Sequence, residues 1–228
     1  MSGDTVIQLR VKALALEAGP LRLCENLSFE LKASESLILR GANGSGKTTL
    51  LRTLAGFNRA PQGEISFTSN GSTQAIRLAD NCHYFGHKNA LKTAHTVRQN
   101  LEFFARFNGV AIETIKHIAA ELNLQPLLDL PVQVLSAGQT RRAAFARLLI
   151  APRAVWLLDE PTAALDVSAA HLIEQHCAKH LTAGGIIIAA THLPFLDSYA
   201  QSHSLNMSDY RPNTPKSVTE SMADEAHS

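Results

Sequence analysis

Residues 36–49 read SLILRGANGSGKTT. A short apolar strand pattern runs into a glycine-rich loop, and the loop runs into a helix pattern through about residue 55. The loop matches G-x-x-x-x-G-K-[ST], and its order of strand, loop and helix opens an α/β fold. Gly41, Gly44 and Gly46 let the backbone curl so that its N–H groups point inward at phosphate oxygens. Lys47 can then reach the outer phosphates, and Thr48 can offer its hydroxyl to Mg²⁺. Asn43, Ser45 and Thr49 complete the candidate contacts, and the helix adds its positive end. The stretch predicts a nucleoside triphosphate site and leaves open what hydrolysis drives.

The rest of the chain is compatible with one such domain. Its 228 residues suffice to bury a real core. With 21 basic and 20 acidic residues the formal charge is +1, which excludes a global attraction to nucleic acid or anionic lipid. Cys24, Cys82 and Cys177 are scattered, without CxxC spacing, so buried thiols in a reducing compartment are expected. MSGDTVIQLRVK has no basic flank before an apolar stretch, so no signal peptide is expected. No apolar run approaches the length of a membrane span, so work at a membrane would need a partner.

Strands are predicted over 6–11, 27–31, 36–39, 64–67 and 82–85, with Gly56 ending the first helix and a loop over 69–74. Residues 96–107 and 112–124 carry apolar residues at helical spacing, and 89–150 reads as a mostly helical insertion. Strands return at 155–158 and 186–190, apolar throughout as parallel strands covered on both faces should be. A helix over 168–181 lies between them, with Gly184 and Gly185 ending the connection. The expected domain is 1–205, and 206–228 reads as a disordered polar tail.

Two further stretches carry chemistry. VWLLDE, residues 155–160, is a buried strand with two carboxylates at its exit. Asp159 suits holding Mg²⁺ and Glu160 suits polarising an attacking water. LSAGQ, residues 135–139, starts a strong helix and so offers a second anion site.

GANGSGKTT, LSAGQ, LLDEPTAALD and ATH, in that order over about residues 25–192, resemble the motifs of ABC transporter ATP-binding subunits. The resemblance implies a three-layer phosphate-loop NTPase core that binds ATP and Mg²⁺. It also implies a head-to-tail pair of nucleotide domains, in which Ser136, Gly138 and Gln139 of one chain serve the ATP held by the other. Asp166 in AALD would sense the opposite site, and His192 in ATH would contact the γ-phosphate and orient water. The implied partners are a second copy and integral membrane permease subunits, with no nucleic acid. The implied location is the cytoplasmic side of a bacterial inner membrane.

Two departures from the family pattern stand out. His87, in CHYFGHK, stands where the family usually has a Gln that signals nucleotide state. Residues 11–22 hold no aromatic to stack on adenine, which leaves Leu16 or Arg22 to cover the ring. The short chain and the YxGH stretch are similar to the ATP-binding subunit of the haem exporter of bacterial cytochrome c maturation. A soluble ABC-type ATPase of repair or translation is the competing class, but this single domain has no heptads or tandem repeat. His171, His176 and His180 on one helix are expected on a solvated face, and Arg141 and Arg142 on a helix surface.

Overall fold

The computed structural model describes residues 7–69 and 77–212. The chain opens with β1 (Ile7–Ala18), β2 (Leu21–Lys32), β3 (Ser36–Arg40), α1 (Lys47–Leu54) and β4 (Glu64–Ser69). A single turn, α2 (Leu78–Asn81), leads to β5 (Cys82–Phe85). Three helices follow within the expected helical stretch: α3 (Val97–Phe107), α4 (Thr114–Glu121) and α5 (Ala137–Ile150). The chain continues with β6 (Val155–Asp159), α6 (Val167–Thr182), β7 (Ile186–Ala190) and β8 (Ser202–Asn206).

Five strands form a parallel sheet in the order β5-β6-β7-β3-β8, and three form an antiparallel sheet in the order β2-β1-β4. Strand alternation assigns the layers. Trp156, Leu158, Ile187 and Ala189 face one core, which they share with Leu101, Phe145 and Ile173 of the helices. Val155, Leu157, Ile186, Ile188 and Ala190 face the other, shared with Leu50 and Leu54 of α1 and with Leu9 and Phe67 of the small sheet. Every residue of β6 and β7 is buried, which is why both read as unbroken apolar runs.

The structure extends or corrects several expectations. β1 and β2 form one long hairpin, well beyond 6–11 and 27–31. The alternation of β1 breaks at Ala13, at φ +47°, where the pairing shifts register. The bulge brings Leu14 so close to Gly63 that a Cβ there would lie 2.5 Å from the Leu14 Cα, so only glycine fits. Gly56 ends α1 as expected, at φ +80°. The fold does not stop at residue 205: Asn206 caps a 3₁₀ turn over Met207–Tyr210, and Met207 is fully buried in the core beside α1. Residue 6, residues 70–74 of the expected loop and residues 213–228 of the expected tail lie outside the described residues.

The expected solvated histidine face holds only for His171. His176 is 5% exposed, and His180 stacks on Trp156 with ring centroids 4.1 Å apart. One turn apart, they share the inward face of α6 with Ile173 and Cys177. Arg141 is 4% exposed, contrary to a helix-surface role, and Arg142 is half-buried, donating to the Leu122 carbonyl. All three cysteines are free thiols.

Candidate functional site

Register assembles the site. Ala190 of β7 lies opposite Leu39 of β3 on one side and Asp159 of β6 on the other. On the far side of β6, Leu158 pairs with Phe85 of β5. The residues at and just past these strand ends therefore emerge at one level: the phosphate loop, Asp159 with Glu160, His192, and His87. Ligands of open parallel sheets bind at such carboxyl ends.

A cleft of about 440 Å³ is lined by Asn43–Thr49, His87, Asp159, Glu160 and His192. Gly41, Gly44 and Gly46 all have left-handed backbone, at φ +130°, +78° and +100°, as the curled loop requires. Gly46 precedes α1 with no side-chain cap, so the N–H groups of the first turn are not satisfied by a capping side chain. Lys47 folds back over the loop, and its Nζ donates to the carbonyls of Gly41 at 2.6 Å and Ala42 at 3.1 Å. Burial lowers its pKa, against the opposing pull of Glu160 and Asp159. Thr48 Oγ1 donates to Asp159 Oδ2 at 2.9 Å, so the two candidate metal ligands meet. Burial raises the Asp159 pKa, and the Thr48 hydrogen bond only partly offsets it. Glu160 is oriented by its own backbone, at φ +49°, with its N–H on the Ala190 carbonyl. Its Oε1 lies 3.9 Å from His192 Nε2, which is 3.2 Å from Asn43 Oδ1.

Ser136, Gly138, Gln139 and Asp166 do not line this cleft. Ser136 caps α5 in a capping box: its Oγ accepts from the Gln139 N–H at 3.2 Å, and the Gln139 Oε1 accepts from the Ser136 N–H at 2.9 Å. A Cβ on Gly138 would lie 3.1 Å from the Ala164 carbonyl oxygen, so this helix start rests on the loop that leads to Asp166. Asp166 caps α6, with Oδ1 accepting from the Ala169 N–H at 2.8 Å, and this bond holds its pKa down. The helix start at LSAGQ and the Asp166 cap thus form a second surface, apart from the phosphate loop.

The family model described as ABC transporter matches residues 24–163. The "Cytochrome c biogenesis ATP-binding export protein CcmA" of Rhizobium johnstonii is 44% identical over 192 residues, which cover 82% of this chain and 89% of that protein. The protein of the same name from Rhizobium meliloti is 40% identical over 209 residues, covering 90% and 99%. In structure, the chain is similar to a putative ABC transporter ATP-binding protein from Pyrococcus furiosus. The TM-score is 0.76 at 22% identity, over 90% of this chain and all of that one. The chain belongs to the ABC transporter family.

It is an ATP-binding subunit of that family, whose ATP hydrolysis is coupled to transport. Within this ABC ATPase, neither Leu16 nor Arg22, the residues expected to cover the adenine, is among those that line the cleft. Leu16 is fully buried in the hairpin core, and Arg22 is engaged by Glu17 at 3.0 Å and Glu25 at 3.2 Å. Ala18, Leu21 and Leu23 line the cleft beside the loop instead, and Leu21 is 62% exposed. Sequence reasoning missed them because the strand prediction stopped at residue 11, before the hairpin turn that aims them. The motif PLRL holds two of these leucines flanking the arginine, and alternation carried through that turn would have found them.

Proposed function

We propose that two copies of this ABC ATPase pair head to tail, each cleft holding Mg·ATP that the other copy's Ser136, Gly138 and Gln139 complete. The separation of the two anion-binding surfaces within one chain carries this reading. A single chain that used both on one nucleotide would bring them together, whereas a pair related by a two-fold axis uses each surface once per site.

The residues divide the work. The loop N–H groups and Lys47 hold the phosphates. Thr48 and Asp159 offer two hard oxygen donors 2.9 Å apart, so both fit Mg²⁺. The ion, when bound, neutralises charge on the outer phosphate oxygens. Glu160 accepts a proton from the attacking water, and His192 orients that water and the γ-phosphate from its place beside Glu160 and Asn43. Asp166 reads the state of the opposite cleft. His87, at the edge of the cleft and next to the helical stretch 89–150, reports nucleotide state to that stretch, which moves the membrane subunits.

The similarity to cytochrome c biogenesis export proteins supports a place on the cytoplasmic side of a bacterial inner membrane, with integral permease subunits as partners. Among the described residues no helix is long and apolar enough to cross a membrane, so those partners supply the span. The cargo we infer is haem, moved directly or released as a haem-loaded carrier during cytochrome c assembly. The test is a mild-detergent pull-down of this chain from its own membranes, with partners identified by mass spectrometry. Recovery of integral haem-exporter subunits supports the reading. Recovery of a different permease discards haem and keeps the ATPase.

A further inference from the structure

Arg141 lies one turn into α5, just past the LSAGQ helix start, and is 4% exposed. Among the described residues no carboxylate lies within ion-pair distance of it, although the charges of Asp159 and Glu160 are felt there. Its Nη2 donates to two main-chain carbonyls, those of Asp159 and Glu160, both at 2.7 Å. Its Nη1 donates to the carbonyl of Gly86 at 2.7 Å and to Asn89 Oδ1 at 3.1 Å, with a longer contact of 3.4 Å to the His87 carbonyl. The guanidinium is stacked over Phe85, its carbon 3.8 Å from the ring centroid. Burial lowers its pKa only to about 10, so it stays charged at neutral pH.

These contacts join three parts that sequence keeps far apart: the helix that starts at LSAGQ, the end of β6 that carries Asp159 and Glu160, and the loop after β5 that carries His87. Glu160 has left-handed backbone, which a residue with a Cβ rarely adopts, and Arg141 grips its carbonyl. A guanidinium suits the task because its rigid fork can serve two acceptor groups at once, whereas an ammonium concentrates its donors at one point.

We propose that Arg141 is a positioning residue for hydrolysis: it holds the backbone of Glu160 and of the His87 loop in register with the signature helix, so that a shift of α5 moves both. The proposal rests on the roles given above to Glu160 and His87, and on ATP hydrolysis, but not on the cargo. Arg141 does not line the cleft that holds the phosphate loop, so binding and turnover should separate.

The test compares Arg141→Lys and Arg141→Met in the full chain, with Glu160→Gln in parallel. ATP affinity is read by titration with a fluorescent ATP analogue, hydrolysis as kcat and KM, and thermal unfolding so that rates refer to folded protein. Expected are a kcat about tenfold or more below wild type for Arg141→Met, a KM within about twofold, and an intermediate kcat for Arg141→Lys. If Arg141→Met does not fold, Arg141→Lys decides by the same split. Wild-type kcat in folded Arg141→Lys, with Arg141→Met also unchanged or unfolded, overturns the proposal. So does a loss confined to KM, which would make Arg141 part of the nucleotide pocket. Turnover surviving in Glu160→Gln would instead overturn the reading of the site itself.

Discussion

Glu160 has left-handed backbone at φ +49°, a conformation that costs a residue with a Cβ about 1 kcal/mol. That cost is accepted at the position whose carboxylate reaches His192. Replacing Glu160 by Gln should lower ATP turnover by about 100-fold or more while leaving ATP binding intact, since the loop and Lys47 remain. Lys47→Ala should do the reverse, weakening ATP binding itself by about tenfold or more. Equilibrium binding and steady-state hydrolysis on the same preparations separate the two. Leu21→Tyr, at the exposed rim of the cleft, should tighten ATP about two- to tenfold in the same binding assay by offering adenine an aromatic face. The residues that were legible in sequence are those whose spacing carries the chemistry, as in the loop at 41–49, or that follow a buried strand, as Asp159 and His192 do. Arg141 and Leu21 were not legible. The acceptors of Arg141 are mostly main-chain carbonyls, which leave no signature in sequence, and Leu21 reaches the cleft only by way of a hairpin turn.

Among the elements, the central strands were read well because both faces of β6 and β7 are buried and nothing interrupts the apolar run. The β1–β2 hairpin was underestimated because its bulge at Ala13 shifts the alternation on which strand reading depends. α6 misled for another reason. His176 and His180 count as polar, yet their rings fill space on its inward face as aromatic residues would. This placement has a pH consequence. Burial lowers the His180 pKa from 6.5 to about 4, so below pH 6.5 the unfolded chain takes up a proton that the folded chain refuses. The His180 contribution is therefore complete above pH 6.5 and is lost as pH falls toward 4, amounting to about 2 kcal/mol at pH 5. His176 and His83 are shifted in the same direction, also by burial. Thermal unfolding between pH 7.5 and 5 should show a smaller loss of melting temperature in His180→Gln than in wild type. Equal losses would mean that His180 is not held neutral.

On the whole molecule, α3 leaves Phe103 56% and Phe107 79% exposed, their rings stacked 6.3 Å apart. They border a cleft of about 560 Å³ with Lys92 and Arg106, on the helical stretch expected to meet the membrane subunits. Phe103→Ala with Phe107→Ala should abolish recovery of membrane partners in the pull-down and leave basal ATP turnover within about twofold, since neither side chain lines the nucleotide cleft. Pairing is the larger claim, because the Ser136 helix start does not line the cleft that the phosphate loop lines in the same chain. It is tested most directly by light scattering on Glu160→Gln with and without saturating Mg·ATP. The expected result is a mass that doubles from 24.7 kDa on adding Mg·ATP, and that fails to double when Ser136→Arg is added. A chain that binds ATP to saturation and stays at 24.7 kDa, or a dimer indifferent to Ser136→Arg, would contradict the shared site.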